Sequence, residues 1–118
     1  MPHLNLQLLG QFTADINGTS IENFRSEKER ALLAYLAMHA GEALRREHLA
    51  ALLWPNTEGS SARRNLRLTL HRLREALDKA GAPQGLVTAN RSEIRLEPEL
   101  LELDADRFTE LLIPCSQT

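Results

Sequence analysis

Apolar and polar residues alternate at the start of the chain, with a period of two. The apolar positions are Leu4, Leu6 and Leu8, followed by Phe12, Ala14 and Ile16. This alternation is typical of β-strands with one buried face. Asn17 and Gly18 form a dipeptide that tolerates positive φ at both turn positions, so the pattern predicts a hairpin that returns through Ile21. Gly10 marks a turn or bulge between short strands.

The spacing then becomes helical. Ser26 and Glu29 have the spacing of a capping box, which predicts a helix start at Ser26. The face predicted to be buried consists of Leu32, Leu33, Leu36 and Ala40. Gly41 can adopt the left-handed conformation that ends helices.

A second helix is predicted in "RREHLAALLWP", with Leu49, Leu52 and Leu53 facing inward. Pro55 prevents the helix from continuing past Trp54. The second helix therefore ends just before the polar loop "PNTEGS".

The third helix is the longest, and Ser61 is its predicted cap. Leu66, Leu70, Leu73 and Leu77 fall on one stripe, and Gly81 closes the helix. Further on, "LVTANRSEIRL" predicts two short strands around a turn at residues 90–92. The segment "LDADRFTELL" predicts a last short helix that is capped by Asp104 and buries Phe108 and Leu111.

The length of 118 residues and a hydrophobic content of 42% fit one compact domain. The N-terminus lacks the basic region and cleavage site of a signal peptide, and no apolar run approaches the roughly 18 residues of a spanning helix. We therefore expect a cytoplasmic protein without a membrane partner. Cys115 is the only cysteine, which excludes a disulfide framework or a thiolate zinc site within one chain. No metal or other cofactor is expected.

Charge is distributed unevenly along the chain. The formal net charge is −2, yet residues 61–79 contain six basic and two acidic residues, whereas residues 93–118 contain two basic and seven acidic ones. The acidic end masks the basic helix in the total. Because phosphate is attracted by the local field of one face, within a Debye length of roughly 10 Å, the slightly acidic total does not exclude nucleic acid.

The third helix has an apolar back and a basic front. A step of about 100° per residue puts Leu70, Leu73 and Leu77 within about 40° of Leu66. Roughly opposite lie Arg64, Leu68, His71 and Glu75, with Arg67 and Arg74 on one flank and Arg72 on the other. A solvated surface helix whose arginines lie over apolar neighbours would show the same pattern, so the helix alone leaves both interpretations open.

The order of elements favours DNA binding. Three helices followed by a hairpin form the layout in which the third helix enters the major groove and the hairpin forms a wing. Arginine can donate two hydrogen bonds to guanine or clamp a phosphate, and Leu68 can contact a thymine methyl. Arg45, Arg46 and Lys28 lie near the starts of the first two helices, where phosphate is also favoured.

Four segments resemble one known family: "LQLLGQF", "KERALLAYLAMHAGEALRREHLAALLWP", "ARRNLRLTLHRLREAL" and "LDADRF". They are similar to the OmpR-type winged-helix domain at the N-terminus of Streptomyces antibiotic regulatory proteins (SARPs). The resemblance implies an α+β winged helix-turn-helix with an N-terminal antiparallel sheet, a three-helix core and a C-terminal hairpin wing. We expect this domain at residues 1–112, followed by a tail at 113–118.

The same resemblance implies a bacterial transcriptional activator that binds direct-repeat promoter sites, with two copies head to tail on the DNA. It also implies contact with RNA polymerase through the loop before the third helix, here residues 55–60. The positions that would face the groove are Arg67, His71, Arg72 and Arg74, with Arg91 on the wing.

Two other classes of protein were considered. An enzyme is not expected, because His39 and His48 do not share a helical face, and the sequence contains neither a phosphate-binding glycine loop nor a nucleophile elbow. The alternative that stays open is a winged helix that docks another protein and has no DNA specificity of its own. Salt distinguishes the two, since phosphate contacts weaken steeply as salt rises and apolar docking does not.

Overall fold

The computed structural model describes residues 4–7, 12–21, 24 and 26–103. Within them the chain forms two small β-sheets around three helices. The expectations for Leu8, Gly10, the helix after Asp104 and the tail at 113–118 lie outside the described residues. The observed architecture is the predicted α+β winged helix.

The N-terminal sheet contains the predicted hairpin. Strands β1 (Leu4–Gln7) and β2 (Thr13–Ile16) are antiparallel, and β3 (Thr19–Ser20) pairs with β2. Asn17 has φ 50° and Gly18 has φ 89°, as the predicted turn requires. Of the alternating pattern, Leu4, Leu6, Ala14 and Ile16 are buried, and Phe12 is half-buried.

Helix α1 (Glu27–Met38) begins after Ser26, as predicted, but the Ser26 side chain makes no capping hydrogen bond. The predicted helix start is therefore confirmed, whereas the predicted capping hydrogen bond of the Ser26 side chain is not formed. Glu29, the other residue of that box, is buried. Gly41 has φ 92°, and its N–H donates to the Leu96 carbonyl at 2.9 Å, so the chain turns at this glycine towards the second helix.

Helix α2 (Arg46–Leu53) buries Leu49, Ala50 and Leu53. Leu52, which was predicted to face inward, is 46% exposed. The buried side of α2 includes the small Ala50 together with Leu49 and Leu53, so Leu52 faces solvent.

Helix α3 (Gly59–Lys79) starts two residues before the predicted cap. Ser61 lies inside the helix, and Glu58 is the N-cap residue, whose carbonyl accepts from the Ala62 N–H at 2.8 Å. The predicted cap at Ser61 is wrong because Gly59 and Ser60 also adopt helical geometry. The predicted leucine stripe is buried, and Gly81, with φ 93°, follows the helix end.

The wing consists of β5 (Val87–Ala89) and β6 (Glu93–Leu96), the predicted hairpin. A third strand was not predicted: β4 (Leu44–Arg45), just before α2, pairs with β6. The sheet order is β4-β6-β5. The wing is thus joined directly to the start of α2.

The N-terminal sheet is completed by β7 (Leu101–Leu103), which pairs in parallel with β1. The two sheets and three helices share one core, and its largest fully buried side chains are Leu4, Leu6, Ile16, Leu32, Leu33, Leu36, Leu49, Leu66, Leu73, Leu86, Ile94 and Leu96. Isolated hairpins are marginal in water, so both short sheets depend on this common core for their stability.

A short 3-10 turn (Pro98–Leu100) connects the wing to β7. The Glu97 carboxylate caps this turn by accepting from the Glu99 N–H at 3.3 Å, and it also accepts from Arg95 Nη1 at 3.0 Å. The Arg95 hydrogen bond, together with the Glu99 N–H, lowers the pKa of Glu97 below its ordinary value of 4.5. Arg95 Nε donates to the Gly41 carbonyl at 3.1 Å, so the pair links the wing to the end of α1.

Candidate nucleic-acid interface

Helix α3 has the orientation that its periodicity predicts. Leu66, Leu70, Leu73 and Leu77 are buried against the core. Arg64, Leu68 and His71 on the opposite side are exposed, as are Arg67 and Arg74 on one flank. The helix therefore presents a basic front to solvent while its apolar back stabilises the domain.

A cleft of about 470 Å³ lies where the first half of α3, the start of α2 and the turn of the wing meet. We call it the arginine cleft, because six arginines line it: Arg45, Arg46, Arg63, Arg64, Arg67 and Arg91. Its other lining residues are Glu47, Ser60, Leu66 and Ser92. One acidic side chain thus faces six basic ones.

Most of these arginines are not neutralised by the protein. Arg45 Nη2 lies 3.6 Å from Glu47 Oε1, and both side chains are 71% exposed. Arg46 Nε donates to the backbone carbonyl of Asn90 at 2.8 Å. Among the described residues, Arg63, Arg64, Arg67 and Arg91 have no ion-pair partner. The arginine cleft therefore has a surplus of positive charge, which an external anion can neutralise.

The turn of the wing is held in place by hydrogen bonds on both sides of Arg91. The Asn90 side-chain Oδ1 accepts from the N–H groups of Ser92 and Glu93, each at 2.8 Å. The Arg46 backbone N–H donates to the Ser92 carbonyl at 2.8 Å. Arg91, at the tip, is thereby kept beside α2 and in the same cleft as the arginines of α3.

A second cavity, of about 360 Å³, continues along the same side of α3. Its lining comprises Arg46, Arg67, Leu70, His71, Arg74, Glu75 and Asp78. His71 Nε2 lies 3.5 Å from Glu75 Oε2 one turn away. Because Glu75 and Asp78 lie in this part, the positive field is strongest over the first half of the helix.

Three sequence-predicted site residues lie outside both cavities. Leu68 is exposed on the front of α3, and Arg72 is half-buried on the flank away from the arginine cleft. Lys28 Nζ donates to the Leu53 carbonyl and lies 5.5 Å from the centre of the Trp54 ring. Lys28 therefore lies beside the C-terminal end of α2. With a rise of 1.5 Å per residue, that end is about 10 Å along the helix from Arg46.

Arg63 is the one arginine of the cleft that was not among the predicted contacts. On the helical projection it lies about 60° from Leu66, at the border of the apolar stripe. Its guanidinium lies over Gly59, where an added Cβ would meet Arg63 Nη1 at 3.6 Å. That distance is ordinary van der Waals contact, so Gly59 is not needed to make room for the guanidinium, and no local sequence signal marks Arg63 as a cleft residue.

The described residues offer no group of three or more His, Cys, Asp or Glu side chains arranged to hold a metal ion. None of the described helices has the length and apolar character needed to cross a membrane. The functional groups that line the arginine cleft are mainly guanidinium groups, which bind phosphate and base edges.

Comparison with known proteins gives two matches. Residues 22–92, more than half of the chain, match the family model described as "Transcriptional regulatory protein, C terminal". Among solved structures, Mycobacterium tuberculosis EmbR in complex with a low affinity phosphopeptide is similar, with a TM-score of 0.69 and 27% identity over 86% of this chain. The chain covers 27% of the EmbR chain. No curated protein gives a match.

Proposed function

Because the chain belongs to the family of C-terminal DNA-binding domains of transcriptional regulatory proteins, we propose that it recognises specific double-stranded DNA by inserting α3 into the major groove. The chain is an OmpR-type winged-helix domain of a transcriptional regulator, similar to the SARP-family regulator EmbR. The sequence specificity and the docking mode are our proposal.

The arginine cleft is the observation that carries this proposal. A major groove about 12 Å wide admits one helix, and phosphates line both of its edges. When α3 enters the groove, the cleft beside it meets one of the two backbones. Arg63, Arg64, Arg67 and Arg91, which have no ion-pair partner among the described residues, then gain charge-assisted hydrogen bonds to phosphate. Phosphate contacts of this kind position the protein, and base contacts specify the sequence.

The base contacts are assigned to the exposed front of α3. His71 and Arg74 point away from the core next to Arg67, and Leu68 offers an apolar surface to a thymine methyl. Arginine can donate bidentately to guanine O6 and N7 through its rigid planar fork. Arg72, on the opposite flank, is positioned for the other backbone.

The finer regulatory role follows from the SARP resemblance. We propose that the protein acts in the cytoplasm as an activator, binds direct repeats as two head-to-tail copies, and contacts RNA polymerase. The polymerase contact is assigned to the connection between α2 and α3, where residues 55–58 are exposed. Exposed loops on a rigid scaffold are suited to such contacts.

The test is a selection of genomic fragments by the purified protein, followed by fluorescence anisotropy on the enriched sequence across a salt series. Counterion release gives a slope of about −0.9 in log K against log salt for each phosphate contact, so contacts by the four cleft arginines and by Arg72 predict a slope of about −4.5. Enrichment of one motif with a slope of this size supports the proposal. Absence of enrichment at low salt would favour the protein-docking module instead.

A further inference from the structure

We propose that Arg46 is a positioning residue, which holds the turn of the wing against α2 and so sets where Arg91 meets the DNA backbone. This inference rests on the proposed function for its effect on DNA binding. Its structural part, the link between helix and wing, is independent of DNA.

Arg46 makes two hydrogen bonds to the wing turn from opposite ends of the residue. Its backbone N–H donates to the Ser92 carbonyl, and its side-chain Nε donates to the Asn90 carbonyl, each at 2.8 Å. The two acceptors flank Arg91. Any rotation of the tip that moves Arg91 away from α3 must break at least one of these bonds.

The other attachment of the wing to the helices at this end is short. Strand β4 pairs with β6 only at Leu44 with Ile94 and at Arg45 with Glu93. A two-residue ladder by itself does not hold the turn, because the turn lies past the last paired residue. The Arg46 side chain extends the attachment to the tip itself.

Hydrogen bonds within the turn make it rigid, so a hydrogen bond to its backbone positions the whole turn. Asn90 closes it twice through Oδ1, to Ser92 and to Glu93, and its own N–H donates to the Glu93 carbonyl at 2.9 Å. Asn side chains that bond their own backbone two residues on stabilise such turns. The orientation of Arg91 is therefore fixed through Asn90.

Arginine suits this role in a way that lysine does not. The Nε–H lies part of the way along the side chain, and the two Nη groups extend beyond it, so one side chain can donate to the wing and still face the arginine cleft. Arg46→Lys keeps the positive charge but loses the Nε donor. A purely electrostatic role would survive that change, and the positioning role would not.

The first experiment needs no DNA and compares Arg46→Lys with Arg45→Lys by amide hydrogen exchange. Arg45 is a matched control, because its side chain lines the same cleft but pairs with Glu47 and not with the wing. We expect the Ser92 and Glu93 amides to exchange roughly three- to tenfold faster in Arg46→Lys, the range for loss of one hydrogen bond. Equal exchange in parent, Arg45→Lys and Arg46→Lys would overturn the proposal.

The second experiment is a double-mutant cycle on DNA affinity. Arg91→Ala is expected to weaken binding roughly fivefold or more in the parent and in Arg45→Lys, but less than about twofold in Arg46→Lys, where the tip is already misplaced. An equal loss in all three backgrounds, or no loss in the parent, would overturn the coupling. If the parent itself does not bind DNA, the proposed function fails, whereas the exchange experiment still decides the link between helix and wing.

Discussion

At the scale of single residues, position on α3 decides what a side chain does, more than its chemistry. Leu73 is fully buried in the core, whereas Leu68, five residues earlier on the same helix, is 48% exposed on the basic front. Helical periodicity predicted this difference from the sequence, because the four buried leucines repeat with a strict helical spacing and Leu68 does not share it.

The two leucines form a matched pair for mutagenesis. Leu73→Ala is expected to lower the free energy of unfolding by about 2 to 5 kcal/mol, since it removes buried methyl groups and leaves a cavity. Leu68→Ala should leave the free energy of unfolding within about 0.5 kcal/mol of the parent and instead reduce discrimination at one base pair. Urea denaturation measures the first effect, and binding to singly substituted sites measures the second.

Equal destabilisation by the two substitutions would mean that α3 is rotated about its axis relative to the arrangement described above. Loss of DNA binding by Leu68→Ala at every sequence alike would assign that leucine to general docking and not to base recognition.

The arginines were harder to assign from sequence. A helical projection gives the direction of each side chain from the axis, but not which neighbouring element lies there. Arg63, at the border of the apolar stripe, was not predicted as a contact, yet the start of α2 and the wing make that border one wall of the arginine cleft. The helical projection placed Arg72 on the other flank, where it is half-buried, and its role in the groove stays a prediction from the family resemblance.

Arg63→Ala is expected to weaken DNA binding and to reduce the salt slope by about one, because one phosphate contact is lost. Arg30→Ala is the control. Arg30 is also an exposed arginine, but its guanidinium lies 5.7 Å from the centre of the Phe24 ring, beside the N-terminal sheet. Anisotropy titrations should show the parent slope for Arg30→Ala; the same reduction in both variants would mean that the effect is one of overall charge.

At the scale of elements, the helices and hairpins follow from local patterns, whereas two strands do not. Strand β4 has only two residues, and β7 pairs in parallel with β1 across nearly the whole described chain. Short segments carry no periodicity of their own, and parallel pairing is set by tertiary contacts. The exposed Leu52 has the same origin, because the packing of α2 on α3 determined its buried face.

The Glu97 cap predicts how the link between wing and β7 responds to pH. The pKa of Glu97 is lowered in the folded state, chiefly by the Arg95 hydrogen bond, so the carboxylate adds stability above its ordinary pKa of 4.5. This stability is lost as the pH falls below 4.5 through the folded-state pKa. The difference in unfolding free energy between the parent and Glu97→Gln should therefore shrink with acidification.

Urea denaturation of both proteins, at neutral pH and at a series of values below 4.5, measures that difference. Gln keeps an acceptor for the Glu99 N–H, so the comparison isolates the charge. A difference that is constant across the series would show that the interaction between Arg95 and Glu97 contributes nothing to folding.

At the scale of the whole molecule, the small net charge conceals a strongly polarised surface. The acidic residues of the C-terminal segment offset the arginines in the total, yet within the described residues Glu47 is the one acid that lines the arginine cleft. Such a distribution orients the protein during its approach to DNA, because attraction acts on one face and repulsion on others.

One domain of this size buries only about 600 to 1,000 Å² on DNA, so two copies are expected to bind a direct repeat cooperatively. Head-to-tail copies must lie on the same side of the duplex, which places the half-sites roughly 10 base pairs apart, centre to centre. Inserting about 5 base pairs between them should abolish cooperativity, because it places the two copies on opposite sides of the duplex. Gel-shift titrations on such a spacing series make the measurement; cooperativity only on inverted repeats would contradict the tandem arrangement.

The parallel pairing of β1 with β7 also has a mechanical consequence. Tension applied between residues 4 and 103 runs along β1, crosses the hydrogen bonds between Leu4–Gln7 and Leu101–Leu103, and leaves along β7. Parallel strands pulled from opposite ends are loaded in shear, so these bonds share the force and do not open one after another. The helices and the wing lie outside this path, and a pull on the two ends therefore bypasses the arginine cleft.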